Sequence, residues 1–296
     1  MPKASANGIS IEYDSFGKQE SAPVLLIAGL GVQMIGWTEP FCNILASKGF
    51  WVIRYDNRDV GLSTHFAEAP VPDFSAIAGA LVRGERPEIP YTLHDMASDA
   101  VGLLDALGIQ QAHIVGRSMG GMIAQIVASE HPGRTSSLTC IMSSSGNPAL
   151  PRSTPEAMAA LTQRAPHPLQ DEQGFLNQRV RAARVLSGPG FPFDEAAHRT
   201  QALVAANRAY NPDGFGRQIA AVVANGDGRA LLNKITVPTL VVHGTADPLI
   251  PLVAGEDIAA NVPGAYFKVF EGMGHDFPPE LYEPIAQAIA DLKDSN

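Results

Sequence analysis

The sequence predicts an α/β fold: a mostly parallel sheet with helices on both faces and a helical insertion over one edge. Three observations predict it. Aliphatic or β-branched runs recur at Val24–Ala28, Trp51–Tyr55, Ala112–Val115, Leu138–Met142, Thr239–Val242 and Tyr266–Phe270. They lack the polar alternation of a half-solvated strand and so read as strands buried on both faces. Helix-length segments separate them, as crossovers between parallel strands must. The stretch from 145 to 232, by contrast, holds no comparable strand run.

Taken in chain order, Ile9–Tyr13 reads as part of an antiparallel entry hairpin. Leu93–Leu107 reads as a crossover helix, with Met96, Val101, Leu104 and Leu107 on one face and Gly108 closing it. Phe66–Pro90 reads as a core loop. Within the long interruption, Glu156–Arg164, Asp171–Leu186, Glu195–Tyr210 and Phe215–Ala224 read as helices, broken at Gly188-Pro189-Gly190 and Asn211-Pro212-Asp213-Gly214. Residues 1–144 and 233–296 are therefore expected to form the core. Residues 145–232 would form a helical cap over the carboxyl edge of the sheet, where open α/β sheets take ligands. Its apolar residues Phe175, Leu186, Phe191, Phe193, Tyr210 and Phe215 are candidates to line a pocket.

Composition narrows the function classes. Of 296 residues 45% are hydrophobic and 17% charged, as in a packed globular protein. The formal charge of −9 and the lack of any Lys/Arg cluster argue against nucleic acid as a partner. Cys42 and Cys140 sit in apolar surroundings and read as free buried thiols rather than a disulfide. The N-terminal MPKASANGISIEY has no apolar signal core, and no apolar stretch reaches the roughly 18 residues of a membrane span. The expectation is a cytoplasmic protein acting on a small molecule; no pattern specifies an oligomeric state.

The most informative segment is Ala112-His113-Ile114-Val115-Gly116-Arg117-Ser118-Met119-Gly120-Gly121. Strand, G-x-S-x-G turn and helix follow one another directly, which is the context that gives this short motif its meaning. A sharp strand-to-helix turn strains the backbone at Ser118 and lifts its hydroxyl above the sheet, at the positive end of the following helix. Ser118 is the candidate nucleophile. Arg117 is expected to point outward or pair locally, with no catalytic role.

A serine hydroxyl needs a positioned base. Where a serine stands on such a turn, the chain order is serine, acid, histidine, with the histidine on the loop after the last strand. Phe270-Glu271-Gly272-Met273-Gly274-His275 offers His275, its two glycines freeing the loop to fold back over the sheet. His131, His243, His113, His167 and His198 have ordinary structural readings, and His65 and His94 are placed to border a pocket, with a solvated or core role as the ordinary reading of each. Asp247, after the run Leu240–His243, is the expected acid, orienting the imidazole and stabilising its cation. Asp227, in a turn, and Asp276, adjoining the histidine, are the alternatives. Tetrahedral intermediates need preorganised donors. Backbone N–H groups of Met119 and, from the loop after the first long strand, Leu30 fill that role by position.

With these landmarks the chain resembles the α/β-hydrolase superfamily over nearly its full length, which implies an eight-stranded, mostly parallel sheet. Arg54-Tyr55-Asp56-Asn57-Arg58-Asp59-Val60-Gly61-Leu62-Ser63 is similar to the superfamily's D-x-R-G-x-G-x-S turn, with Asp59 in place of its usual glycine and a structural role. Ala28-Gly29 stands where many relatives have His-Gly, which removes a side chain that often braces the loop. Among subfamilies the chain resembles most the aclacinomycin methylesterase group, which cleaves a methyl ester from a polyketide antibiotic. Arg184-Val185-Leu186-Ser187-Gly188-Pro189-Gly190-Phe191-Pro192-Phe193-Asp194-Glu195 carries that likeness, with Tyr55–Ser63 in the core.

The resemblance implies serine-dependent hydrolysis of carboxylic esters, with macrolide-type esters or lactones also plausible. It implies no cofactor, and no histidine–carboxylate cluster is assigned as a metal ligand set. Enol-lactone opening, carbon–carbon bond hydrolysis and perhydrolysis are alternatives on the same scaffold. A non-catalytic small-molecule receptor is the alternative outside enzymes.

Overall fold

A computed structural model describes residues 2–293. Its single sheet has eight strands: β1 (Lys3–Ala6), β2 (Ile9–Phe16), β3 (Ala22–Ile27), β4 (Phe50–Tyr55), β5 (Ala112–Arg117), β6 (Thr135–Ile141), β7 (Thr239–Gly244) and β8 (Tyr266–Phe270). The spatial order is β1-β2-β4-β3-β5-β6-β7-β8. β2 runs antiparallel to both β1 and β4, and every other pair is parallel. Each sequence-derived strand is present. β1 adds the hairpin partner of β2, a four-residue strand too short to show a hydrophobic period.

Helices α1 (Glu39–Ser47) and α11 (Tyr282–Lys293) cover one face. α3 (Leu93–Ala106), α4 (Met119–Glu130), α9 (Arg229–Leu232) and α10 (Leu252–Asn261) cover the other. The strands serve both layers in alternation: Val24 and Leu26 pack with Phe41, Leu45, Ile285 and Ile289, while Leu25 and Ile27 pack with Leu103, Ile123 and Ile258. Burial on both sides explains the unbroken apolar runs of β3 to β7. β8 departs from the expectation: it is an edge strand, and Tyr266 and Val269 are exposed. α3 begins on a Thr92/Asp95 capping box and ends one residue before the expected Leu107, with Gly108 in the left-handed region. Residues 66–90 are not all loop. They contain α2 (Phe74–Val82), capped by the Asp73 carboxylate on the Ser75 N–H and largely exposed; its sequence FSAIAGALV is apolar almost all round, so no one-faced helical period marks it.

The insertion holds α5 (Pro155–Thr162), α6 (Glu172–Leu186), α7 (Glu195–Arg208) and α8 (Pro212–Asn225). Thr154, Asp171, Asp194 and Asn211 cap the four helices, each accepting a backbone N–H with its side chain. α8 starts three residues earlier than its apolar pattern indicates, because Pro212 suits a first helical position and Asn211 caps it.

The chain leaves β3 for β4 on one side, then crosses to β5 on the other. The loops after β3 and β5 therefore diverge above neighbouring strands, with Ile27 level with Gly116. Such a divergence opens a crevice at the carboxyl edge.

Candidate active site

Ser118 occupies that crevice. Its backbone is at φ 53°, ψ −125°, a strained conformation at the junction of β5 and α4. The turn closes only because its flanking residues lack side chains: a Cβ on Gly116 would run into the Gly120 carbonyl, and one on Gly120 into that of Ile27. Gly121 and Met122 donate N–H groups to the Ser118 carbonyl, at 2.9 and 3.3 Å, which starts the helix directly beneath the hydroxyl.

The last strand and its loop bring His275 to this point. Its Nε2 lies 3.0 Å from Ser118 Oγ and its Nδ1 2.8 Å from Asp247 Oδ2. Asp247 follows β7 and is buried, its Oδ1 accepting the N–H groups of Leu249 and Ile250 at 2.9 and 2.8 Å. Burial works to raise its pKa. The charge of His275 when protonated, the hydrogen bond from its ring, the His243 ring nearby and the Ile250 N–H outweigh burial and hold the carboxyl well below the usual carboxylate range. The acid is thus ionised throughout the neutral range and fixes the imidazole with its Nδ1 proton toward the carboxylate.

The two alternative acids stand elsewhere. Asp227 is paired with Arg229 at 2.6 Å. Asp276 turns away from the ring: its Oδ1 accepts the Gly274 N–H at 3.2 Å, and Ser187 and Gly188 also donate to the carboxylate. His243, read as ordinary, is fully buried with Nε2 2.8 Å from the Ile250 carbonyl and 3.6 Å from Asp247 Oδ2. It therefore packs behind the carboxylate. No local signal in the sequence distinguishes it from any other histidine closing a strand.

The donor side of the site is open. Met119 is the first residue of α4, where the helix provides no acceptor for its N–H. Leu30 lies in the turn Gly29–Val32, closed by a 3.2 Å bond from Val32 N–H to the Gly29 carbonyl. Among the described residues no acceptor meets the Leu30 N–H. Gly29 lies against the nucleophile, since a Cβ there would be 3.3 Å from Ser118 Cβ.

Two sequence expectations need correction. Arg117 does not point outward: its guanidinium lies over the Trp37 ring at 5.0 Å and beside Gly36, and desolvation draws its pKa down to about 10. Position 117 shares a sheet face with Val115 and is carried inward with it. The glycines of the histidine loop serve closeness as much as freedom. A Cβ on Gly274 would meet the backbone of Gly188, and one on Gly188 the carbonyl of Gly272. Gly190 N–H bonds the Gly272 carbonyl at 3.0 Å and His275 N–H that of Leu186 at 2.8 Å. The glycine-proline break of the insertion is thus a backbone dock for the His275 loop.

Pocket-lining expectations divide. Phe215 lies over Gly31, Phe175 is buried against Tyr210, and Phe193 stacks on His198 and under Arg184. Phe191 packs on the α1/α11 layer. Cys42 and Cys140 are free and buried, and burial pushes both thiols up to about 12. Among the described residues no helix is long and apolar enough to cross a membrane.

A serine hydroxyl, a histidine and a carboxylate in one hydrogen-bonded line, with free amides beside them, suit acyl transfer. Comparison with known proteins agrees at the level of fold and family. A family model described as alpha/beta hydrolase fold matches residues 22–280. The chain is 31% identical to rhodomycin D methylesterase of Streptomyces sp. (strain C5), over 95% of this chain and 94% of that protein. It is 24% identical to 3-oxoadipate enol-lactonase 2 of Acinetobacter baylyi, over 96% and 94%. Its fold matches the meta-cleavage product hydrolase of Pseudomonas fluorescens IP01 with a TM-score of 0.76 at 19% identity, covering 100% of this chain and 98% of that one. The chain belongs to the α/β-hydrolase family.

Proposed function

We propose that the protein is a serine carboxylic-ester hydrolase that works through an acyl-enzyme on Ser118. The observation carrying this reading is the line Ser118 Oγ, His275, Asp247, with spacings of 3.0 and 2.8 Å. His275 Nε2 takes the Ser118 proton as Oγ attacks the ester carbonyl. The carbonyl oxygen gains charge and accepts the N–H groups of Leu30 and Met119. His275 then gives its proton to the departing alcohol. A water replaces the alcohol, passes its own proton to His275 and attacks the acyl carbonyl, and Ser118 leaves with the proton returned to it. Nucleophile, base and anion donors all belong to the chain, so this route calls for no cofactor.

The substrate we assign is a small-molecule ester of polyketide or macrolide type. The full-length likeness to a methylesterase and the Arg184–Glu195 segment support it. The insertion, residues 145–232, acts as a cap whose residues above the crevice select the ester. Lactone opening is the second reading, favoured by the enol-lactonase relative, because a lactone is an internal ester that the same residues would open without losing an alcohol.

Fluorophosphonate labelling tests the chemistry, since only an activated serine is phosphonylated. The expected result is labelling of the parent on Ser118 and none of Ser118→Ala. An unlabelled, folded parent would overturn the reading. Mass analysis of products from a methyl ester and from a lactone then separates the two substrate classes.

A further inference from the structure

The structure assigns Gln218 of α8, which lies in the insertion, as a positioning residue that holds the oxyanion loop. The inference deepens the proposed ester hydrolysis and rests on it. Gln218 is fully buried, its Oε1 accepting the Gly31 N–H at 2.8 Å and its Nε2 donating to the Arg58 carbonyl at 2.8 Å. With both ends engaged, the amide cannot rotate to release Gly31 without leaving two buried polar groups unmet.

Gly31 matters because of where it stands. In the turn Gly29-Leu30-Gly31-Val32, Gly31 is the third residue with φ +66°, the arrangement of a type II turn. The peptide joining Leu30 to Gly31 is the turn's central one. It can flip by about half a revolution between types I and II while the closing Val32-to-Gly29 bond persists. A flip would reverse the Leu30 carbonyl and the Gly31 N–H immediately beside the proposed donor, the Leu30 N–H. Gln218 accepts the Gly31 N–H in one of those two orientations only.

The same loop is held from its other side, where Asn57 Nδ2 donates to the Ala28 carbonyl at 3.0 Å. Ala28 has no side chain to brace the loop, and these two amides stand in for it, one from the core and one from α8. Arg217 fixes Gln218 in turn. Its guanidinium makes two 2.8 Å bonds to the Asp59 carboxylate, which also accepts Tyr91 Oη at 2.7 Å and Phe66 N–H at 2.8 Å. Oxyanion donors act through preorganisation, so freeing the central peptide should slow acyl transfer without weakening ground-state binding.

The test is Gln218→Met, which keeps the length of the side chain and removes both hydrogen bonds, with Gln218→Asn, which is polar but too short to reach Gly31. Each is assayed on p-nitrophenyl butyrate after its thermal midpoint and active-serine content have been measured. The expected result is a kcat at least tenfold below the parent's per active serine, with KM within threefold. Inhibition by an aliphatic trifluoromethyl ketone, which forms a tetrahedral adduct, should weaken by the same factor as kcat/KM. A parent-like kcat in either folded variant would overturn the inference and leave the ester-hydrolase reading intact. So would a loss confined to KM or a fall in active serine alone. A parent that neither hydrolyses the ester nor labels on Ser118 would overturn both.

Discussion

At the scale of single residues, backbone strain at Ser118 and a held carboxylate at Asp247 meet where chemistry is proposed. Ser118 holds a backbone conformation that costs of order 1–3 kcal/mol, offset by the sheet below it and the helix it starts. Replacing it with alanine should leave the fold intact and lower turnover by about 10⁴–10⁶, measured on any ester the parent cleaves. A folded variant keeping a tenth of parental turnover would remove Ser118 from the mechanism. Asp247→Asn should fall short of that loss, because the Leu30 and Met119 amides and the carboxamide's bonds to Leu249 and Ile250 remain. His113 gives a separate test through stability. Burial depresses its pKa from 6.5 to about 4, and its Nδ1 lies 2.8 Å from Ser137 Oγ. The unfolded chain therefore binds a proton there that the folded chain refuses. Its contribution to stability is complete above about pH 6.5 and is lost progressively down to about pH 4, some 3 kcal/mol at most. Urea unfolding across this window should show a shallower pH slope for His113→Asn than for the parent; equal slopes would contradict the assignment.

At the scale of elements, the docking of α8 onto the turn after β4 gives Asp59 a partner at a position where the turn it resembles, D-x-R-G-x-G-x-S, has glycine. Asp59 sits at φ 67°, a conformation glycine would adopt freely. What compensates is the buried, two-bond pairing with Arg217, in which bonds from Arg217, Phe66 and Tyr91 overcome burial and lower the carboxyl's pKa. Asp59→Gly should therefore destabilise the protein despite relieving strain. The unpaired Arg217 costs about 3–5 kcal/mol and strain relief returns about 1, for a net loss of roughly 2–4 kcal/mol in urea unfolding. A variant as stable as the parent would refute this. The elements themselves were legible to different degrees. β3, β5 and β7 follow from runs buried on both faces, β8 from its β-branched and aromatic residues although it is an edge strand with Tyr266 and Val269 exposed, and α3 from its period and closing glycine. α2 was not legible, because FSAIAGALV is apolar almost all round and shows no helical period of apolar and polar faces, and Asp73, which caps it, resembles any loop aspartate. α8 begins three residues before Phe215, the first residue of its apolar pattern, because Asn211 caps it and Pro212 suits its first position.

At the scale of the whole molecule, the insertion is joined to both halves of the proposed site. α6 and the glycine break after it hold the backbone of His275, and α8 holds the loop after β3 at Gly31, with Arg208 adding a 2.7 Å ion pair to Asp56. Exchanging 145–232 for a relative's segment should therefore split by what is kept. A chimera retaining Leu186–Gly190 and 211–218 should keep turnover on p-nitrophenyl butyrate within about tenfold. Its preference among acyl lengths and alcohols should shift by about 1–3 kcal/mol per methylene-sized difference. A chimera lacking Arg217 and Gln218 should lose turnover on every ester alike. Equal turnover of the two folded chimeras would show that the insertion only selects. The sequence by itself determined the strands, the elbow and the order of serine, acid and histidine, because these are written in neighbouring residues: apolar periods, glycines two positions either side of Ser118, a loop after a strand. Tertiary structure alone decided which histidine backs Asp247, where Arg117 turns, and that Asp59 and Gly31 are held from the insertion. Those contacts join residues 158 and 187 positions apart, between side chains and amides whose partners no local pattern specifies. They form only when α8 packs on the loops after β3 and β4 and each buried polar group must find an acceptor or donor there.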